Sequence, residues 1–253
     1  MPVRFDHAVF FVEDLEATSE RFRSAGFDVR TGGVHTGGLT RNALIGLADG
    51  SYLELLSVNL RRAEQLAHGL RTAGAMGWVL RGRTALDRRL LPRAARGEGL
   101  IDWAVATDDL QPLLIRARSW LAGPLPGERR RPDGIKLAWE LAMPADHVCP
   151  FVIRDVTARS LRVPAASNHP NGASGIAAVT IACGNLDGAR RRYTLLLGRD
   201  PVLASHKEVV FAIDEVTVVL RERADSEEGP MTIALRDWSA SAGDTLVRGI
   251  GDR

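Results

Sequence analysis

The chain has 253 residues, 45% of them hydrophobic and 25% charged, so disordered, collagen-like and coiled-coil readings are excluded. The formal net charge is only +2. Acidic residues are interspersed among the basic ones instead of leaving a basic stripe, which argues against a nucleic-acid partner.

Two cysteines, Cys149 and Cys183, stand far apart in apolar surroundings, as core thiols of a reducing cytoplasm do. The first residues enter a folded pattern with no apolar signal-peptide core, and no apolar run approaches the ~20 residues that cross a bilayer. A soluble cytoplasmic protein with no membrane partner is the expectation.

In chain order, residues 5–12 read as a buried strand, with Asp14 as the cap of a helix over 15–25. Leu15, Phe22 and Ala25 share one face of that helix, and Gly26 ends it. A second strand starts at 27–29. Strands over 42–47 and 52–58 follow, joined by the tight-turn pair Asp49-Gly50. The unit is β-α-β-β-β. Residues 59–98 form an Arg/Ala/Leu-rich connection, helical near 61–71, and basic and exposed over 87–96.

The pattern returns with a strand over 100–106, a cap at Asp108-Asp109 and a helix over 112–121 stopped by Gly123. Strands over 135–142 and 150–156 complete the second unit, with Pro132-Asp133-Gly134 as a turn. A polar loop spans 157–175. The third copy has a strand over 176–182, a cap at Asn185, a helix over 189–197 closed by Gly198, and a hairpin of 209–213 with 216–221. Residues 231–235 could add an edge strand. The spacing from His7 to Leu15 recurs from Asp102 to Leu110 and from Ala178 to Leu186. Three such occurrences point to a repeat.

The fold class expected is therefore α+β: repeated β-α-β-β-β modules forming a cup-shaped mixed sheet, with a third module appended. Residues 1–160 are read as one domain of two modules, 3–58 and 99–157. Residues 175–253 are the third module and a tail. An odd module suggests a homodimer in which third modules pair.

Asp6-His7 at the start and Tyr52-Leu53-Glu54-Leu55-Leu56 at the end of the first unit resemble the vicinal oxygen chelate superfamily. That group includes glyoxalase I, extradiol dioxygenases and bleomycin-binding proteins. Gly32-Gly33-Val34-His35, Thr40-Arg41-Asn42-Ala43-Leu44, Arg131-Pro132-Asp133-Gly134 and Pro150-Phe151-Val152-Ile153 resemble its glyoxalase-like branch. The likeness covers residues 3–160 well and 175–222 at the level of pattern. It implies two modules whose curved sheets form an open cup, with a metal at the base held by a His from each first strand and a Glu from each last. Here the first module keeps both, His7 and Glu54. The second has Asp102 or Trp103 and an apolar 151–153 segment instead, and the third has Ala177 or Ala178 with Val218 or Val219.

Two readings of His7 and Glu54 follow. They hold one divalent metal (Fe, Mn, Ni or Zn), completed by Asp102 or His169, or they bond each other with no metal. The missing half of the ligand set weighs toward the second. Glu54 and His169 are the catalytic candidates. His35, on a glycine-flanked lip, and Asn42 and Tyr52 are candidate substrate contacts, with Trp103 and Trp139 as aromatic walls or core. Arg131 is a candidate anion contact, and Asn171 lies beside His169 on the loop after module two.

The implied function is binding of a small oxygenated metabolite in the cup, with metal-assisted lyase or isomerase chemistry. A metal-free sequestering protein of the bleomycin-resistance type is the alternative, and a ring-cleaving dioxygenase a less favoured one.

Overall fold

The computed structural model describes residues 3–58, 84–165, 168–223 and 227–238. The first module comprises β1 (Arg4–Phe11), α1 (Leu15–Ser24), β2 (Arg30–His35), β3 (Thr40–Gly46) and β4 (Tyr52–Val58). After α2 (Ala85–Ala94) come β5 (Gly99–Ala106), α3 (Gln111–Arg116), β6 (Leu121–Arg130), β7 (Lys136–Pro144), β8 (Phe151–Asp155) and the single turn α4 (Arg159–Arg162). The third unit contains β9 (Gly175–Cys183), α5 (Leu186–Leu197), β10 (Leu203–Ala204), β11 (Glu208–Ile213), β12 (Val216–Glu222) and β13 (Gly229–Arg236). Among the described residues no helix is long and apolar enough to cross a membrane.

Local chemistry sets the helix ends. Asp14 accepts from the Ala17 N–H and Asn185 from the Gly188 N–H, each satisfying a donor that the first helical turn leaves free. Gly198 closes α5 in the left-handed region at φ 65°, where a side chain would be strained.

The two-module sheet closes completely, in the order β1-β4-β3-β2-β6-β7-β8-β5. A barrel, not an open cup, is the result. The strand that closes it is β6, which pairs with β2 through Val34↔Arg130 and His35↔Arg129 and with β7 along most of its length. Sequence reasoning missed β6, because Gly123, Pro124 and Pro126 read as breakers and its middle is exposed. It also extended α3 to residue 121, where β6 already begins, and read 30–35 as a lip where β2 lies.

In the third unit β9 pairs parallel with β12 and antiparallel with β13. These are the relations β1 has with β4 and β5. The chain's own β13 thus covers the edge of β9 that pairing between two third modules needs. An aromatic ladder joins this unit to the barrel: Phe5 stacks on Trp103 at 5.5 Å, Trp103 on Tyr193 at 6.4 Å, and Tyr193 on Phe211 at 5.5 Å. Trp103 is therefore inter-unit core and not a wall of the cup. Cys149 and Cys183 are buried free thiols.

The 87–96 segment is the clearest departure from expectation. Residues 61–71 lie outside the described residues, but Ala85–Ala94 is a helix in the barrel mouth, opened by a Thr84–Asp87 capping box. Leu90 and Ala94 join the inner core, and Arg89 and Arg93 are buried as well. The Arg89 guanidinium donates to both Asp102 oxygens at 2.5 and 2.9 Å, and to the carbonyls of Asp146 and Cys149 at 2.7 and 2.9 Å. Asp102, one of the two residues weighed for completing a metal site, is consumed by this pair.

Removing one partner strands a buried charge. Arg89→Ala should cost ~3–5 kcal/mol, while Arg89→Met with Asp102→Leu should recover most of it. Midpoints of urea unfolding for the three variants test this, and an undamaged single variant would count against α2 being pinned by the pair.

Candidate functional site

Alternation along the barrel strands turns a polar group inward. On β4, Tyr52 and Glu54 face the interior while Leu53 and Leu55 join the outer core. Around Glu54 gather His7 from β1, His35 from β2, Asn42 from β3, Arg129 from β6 and Trp139 from β7. Leu86 and Leu90 of α2 press on them from the mouth. The free space left is about 20 Å³, room for a water or two.

Glu54 is the centre. Its Oε1 accepts from Asn42 Nδ2 at 2.5 Å and lies 3.7 Å from His35 Nε2, and its Oε2 lies 3.4 Å from His7 Nε2. Each imidazole is oriented from behind: His7 Nδ1 is 2.6 Å from Asp6 Oδ2, and His35 Nδ1 is 3.0 Å from Thr40 Oγ1. Burial alone would raise the Asp6 carboxyl, but Arg162, the His7 hydrogen bond and Arg159 hold it well below the usual carboxylate range. An ionised Asp6 assigns the facing proton to His7 Nδ1, which turns Nε2 toward Glu54.

Arg162, nearly fully buried, binds both Asp6 oxygens at 2.9 and 3.1 Å and both Asp155 oxygens at 2.5 and 3.0 Å. It also donates to the Tyr52 hydroxyl at 2.7 Å. The Tyr52 ring stacks on His7 at 4.5 Å. Burial raises the Tyr52 pKa above its ordinary value, so the hydroxyl stays protonated.

Two imidazoles and one carboxylate are the donor types of a facial metal site. They are not arranged as one: among the described residues no group of three His, Cys, Asp or Glu is placed to hold a metal ion. Asn42 occupies Glu54 Oε1, and the Arg129 guanidinium shares the cavity with the carboxylate. The second module adds no donor. β-Bulges in the β1–β5 ladder put Ala104, not Asp102 or Trp103, opposite His7. Phe151 pairs with Ala104 as Tyr52 pairs with His7, so Ile153 stands where the first module has Glu54.

Of the residues singled out from sequence, His7, Glu54, His35, Asn42, Tyr52 and Trp139 meet in this cavity. The others do not. His169 accepts from the Asp28 N–H through Nδ1 and donates through Nε2 to the Gly46 carbonyl, both at 3.0 Å, tying its loop to the outside of module one. Asn171 donates to the Ala25 carbonyl at 2.8 Å. Arg131 donates to the Leu161 carbonyl and to Asp133 at the barrel rim. Asp6 and Arg162 were missed, and of the arginine run 129–131, weighed as an anion contact against solvated hairpin charge, Arg131 was singled out where Arg129 is the one that lines the cavity. The signal for Arg129 was strand alternation in the run 129–131, which turns the first arginine inward once β6 is recognised.

The site carries a pH signature. Burial lowers the His35 pKa from 6.5, only partly offset by Glu54. Burial would raise Glu54, but His35, His7, Asn42 and Arg129 outweigh it and lower its pKa. Both groups therefore bind protons more readily unfolded than folded, and their stabilising contribution is lost as pH falls. The melting temperature should hold above neutrality and decline as pH drops below 6.5. Carboxylate losses follow at more acid pH. His35→Gln should flatten the upper part of the decline, and thermal melts from pH 8 to 4 read both effects.

Comparison with known proteins places this geometry. A glyoxalase-like domain family matches residues 5–197. A hypothetical protein from Staphylococcus aureus of known crystal structure superposes with a TM-score of 0.71 at 19% identity, over 94% of this chain and 93% of that one. The Mn(II)-bound glyoxalase from Novosphingobium aromaticivorans gives 0.56 at 10% identity, over 92% and 64%. Streptomyces coelicolor methylmalonyl-CoA epimerase is 23% identical over 62% of this chain and 100% of that one, with a TM-score of 0.35. No curated protein matches the chain. The first two likenesses share the fold described above, and the family match over most of its length makes this chain a member of the glyoxalase-like domain family.

Proposed function

We propose that the cup binds a small oxygenated metabolite and that Glu54 moves a proton on the carbon beside its carbonyl, the lyase or isomerase chemistry of a glyoxalase-like enzyme. One observation carries this reading: an ionised carboxylate is buried between two imidazoles that are each oriented from behind. A carboxylate at such a point can accept a proton from carbon while the C–H electron pair moves onto the carbonyl oxygen. Arg129 lines the same cavity and supplies positive charge and N–H donors for that oxygen. The proton then returns from Glu54 to the neighbouring carbon, so no oxidant or reductant is consumed. No step is routed through a metal here: among the described residues no group of three His, Cys, Asp or Glu is placed to hold one.

The metal-free sequestering reading also has a specific support. Beside Leu86 lies a hollow of about 320 Å³ lined by His35, Thr84, Asp87, Glu128 and Trp139, which offers room for a small ligand next to the polar cluster.

Deuterium exchange separates the two. Hydroxyacetone, lactaldehyde and pyruvate in D₂O, followed by proton NMR, should show catalysed C–H exchange for at least one compound. Glu54→Gln should slow that exchange ~10²–10⁴-fold, the usual worth of a positioned base. Exchange no faster with wild type than with Glu54→Gln, for every compound, would leave sequestration as the function.

A further inference from the structure

Arg129 is a buried charge of the cup that the surrounding network leaves incompletely satisfied. It is 4% exposed. Its Nη1 donates to Asn42 Oδ1 at 3.2 Å and its Nη2 to the Arg162 carbonyl at 3.0 Å, both neutral acceptors. Its Nε is buried with no hydrogen-bond partner. No carboxylate of the described residues forms an ion pair with it, whereas Arg162 holds Asp6 and Asp155, and Arg89 holds Asp102. A guanidinium buried this way costs stability and is retained where something else pairs with it.

The backbone makes room for this arginine. A Cβ on Gly32 would stand 2.2 Å from Asn42 Oδ1 and 2.9 Å from Arg129 Nη1, so only glycine lets the two side chains lie side by side. The guanidinium lines the same cavity as His7, His35 and Glu54. Asn42 bridges it to Glu54, with the amide oxygen facing Arg129 and the amide nitrogen facing the carboxylate. A group held by Arg129 therefore sits one amide away from the base.

We infer that Arg129 binds the carboxylate of the ligand, and that the ligand is a small oxo or hydroxy acid whose acidic C–H is close to its carboxylate. This rests on the reading of the cup as the ligand site. A carboxylate matches the planar donor edge of a guanidinium and supplies the acceptor that Nε lacks.

Binding is tested apart from turnover. Pyruvate, glyoxylate and glycolate, with hydroxyacetone as the neutral counterpart of pyruvate, are titrated against wild type, Arg129→Gln and Arg129→Lys. Thermal shift and tryptophan fluorescence are the readouts, since Trp139 lines the cavity. The acids should bind wild type at least tenfold more tightly than hydroxyacetone. Arg129→Gln should weaken acid binding roughly 10- to 150-fold, what charge-assisted hydrogen bonds contribute, and weaken hydroxyacetone binding by much less. Its melting temperature without ligand should equal or exceed that of wild type, because an incompletely paired charge has been removed. Arg129→Lys keeps the charge but loses the planar edge, so it should bind the acids several-fold more weakly. It carries the test if Arg129→Gln does not fold.

Acids and hydroxyacetone binding alike, none of the acids binding, or unchanged acid affinity in both variants overturns the inference. Arg129-dependent acid binding without Glu54-dependent exchange would instead overturn the proton-transfer reading and leave this one standing. Equal binding of acids and hydroxyacetone with exchange intact would do the reverse.

Discussion

The interaction between Arg162 and the carboxylates of Asp6 and Asp155 holds the floor of the barrel together. One guanidinium from the turn after module two reaches β1, β8 and the Tyr52 hydroxyl on β4, and it is 3% exposed. Without it the buried Asp6 carboxylate and the partly buried Asp155 carboxylate would face each other across the seam between the modules. Arg159, which also binds Asp6, lacks the burial to replace it. The charge balance on Asp6 fixes the side of His7 that carries a proton, and so the atom His7 turns toward Glu54. Fold and site therefore share their electrostatics from the first strand onward.

Much of this was legible in the chain because the relevant signals are local. The helices α1 and α5 announced themselves by capping residues and by apolar positions on one face. Tyr52-Leu-Glu-Leu-Leu56 shows inward polar and outward apolar alternation directly. What was not legible depended on long-range partners. Arg89 and Arg93 look like solvated charge in an arginine-rich segment, and only their partners elsewhere in the chain explain their burial: Asp102, Asp146 and Cys149 for Arg89, and the Glu228 carbonyl for Arg93. His169 looked like a general base because its loop is polar, but its ring nitrogens are spent on backbone groups of module one. A histidine's type and neighbours in sequence do not reveal which backbone atoms fold against it.

The third unit shows how the repeat was adapted. In the barrel, β5 of the second module lies antiparallel beside β1. In the appended unit, β13 takes that place beside β9, so a single module satisfies its edge with its own chain. The face it buries is instead directed at the barrel, where Trp103, Tyr193 and Phe211 stack in sequence. Tyr193 also donates to the Val148 carbonyl at 2.7 Å, giving that apolar contact a fixed orientation. The outward side of Trp103 thus serves association within the chain, and β5 has no polar residue to give the cup at the position opposite His7.

That asymmetry explains where the site's charge comes from. Ala104 and Ile153 leave the second module's half of the interior apolar, and Leu90 of α2 packs into the same core. The second module contributes polarity by another route, through Arg129 on β6. His35 and Arg129 are direct register partners in the β2–β6 seam, and the seam has only two paired positions. Directly opposed residues in an antiparallel ladder face the same side, so one register places both side chains in the cup. A slip by one residue would pair His35 with Arg130 or Val34 with Arg129, so that only one of His35 and Arg129 could face the cup. Glycines at 32 and 33 permit the correct register: a Cβ on Gly33 would stand 2.2 Å from the Arg130 carbonyl oxygen. Closing the barrel and assembling the polar site are thus the same step, and a sequence that lost the one would lose the other.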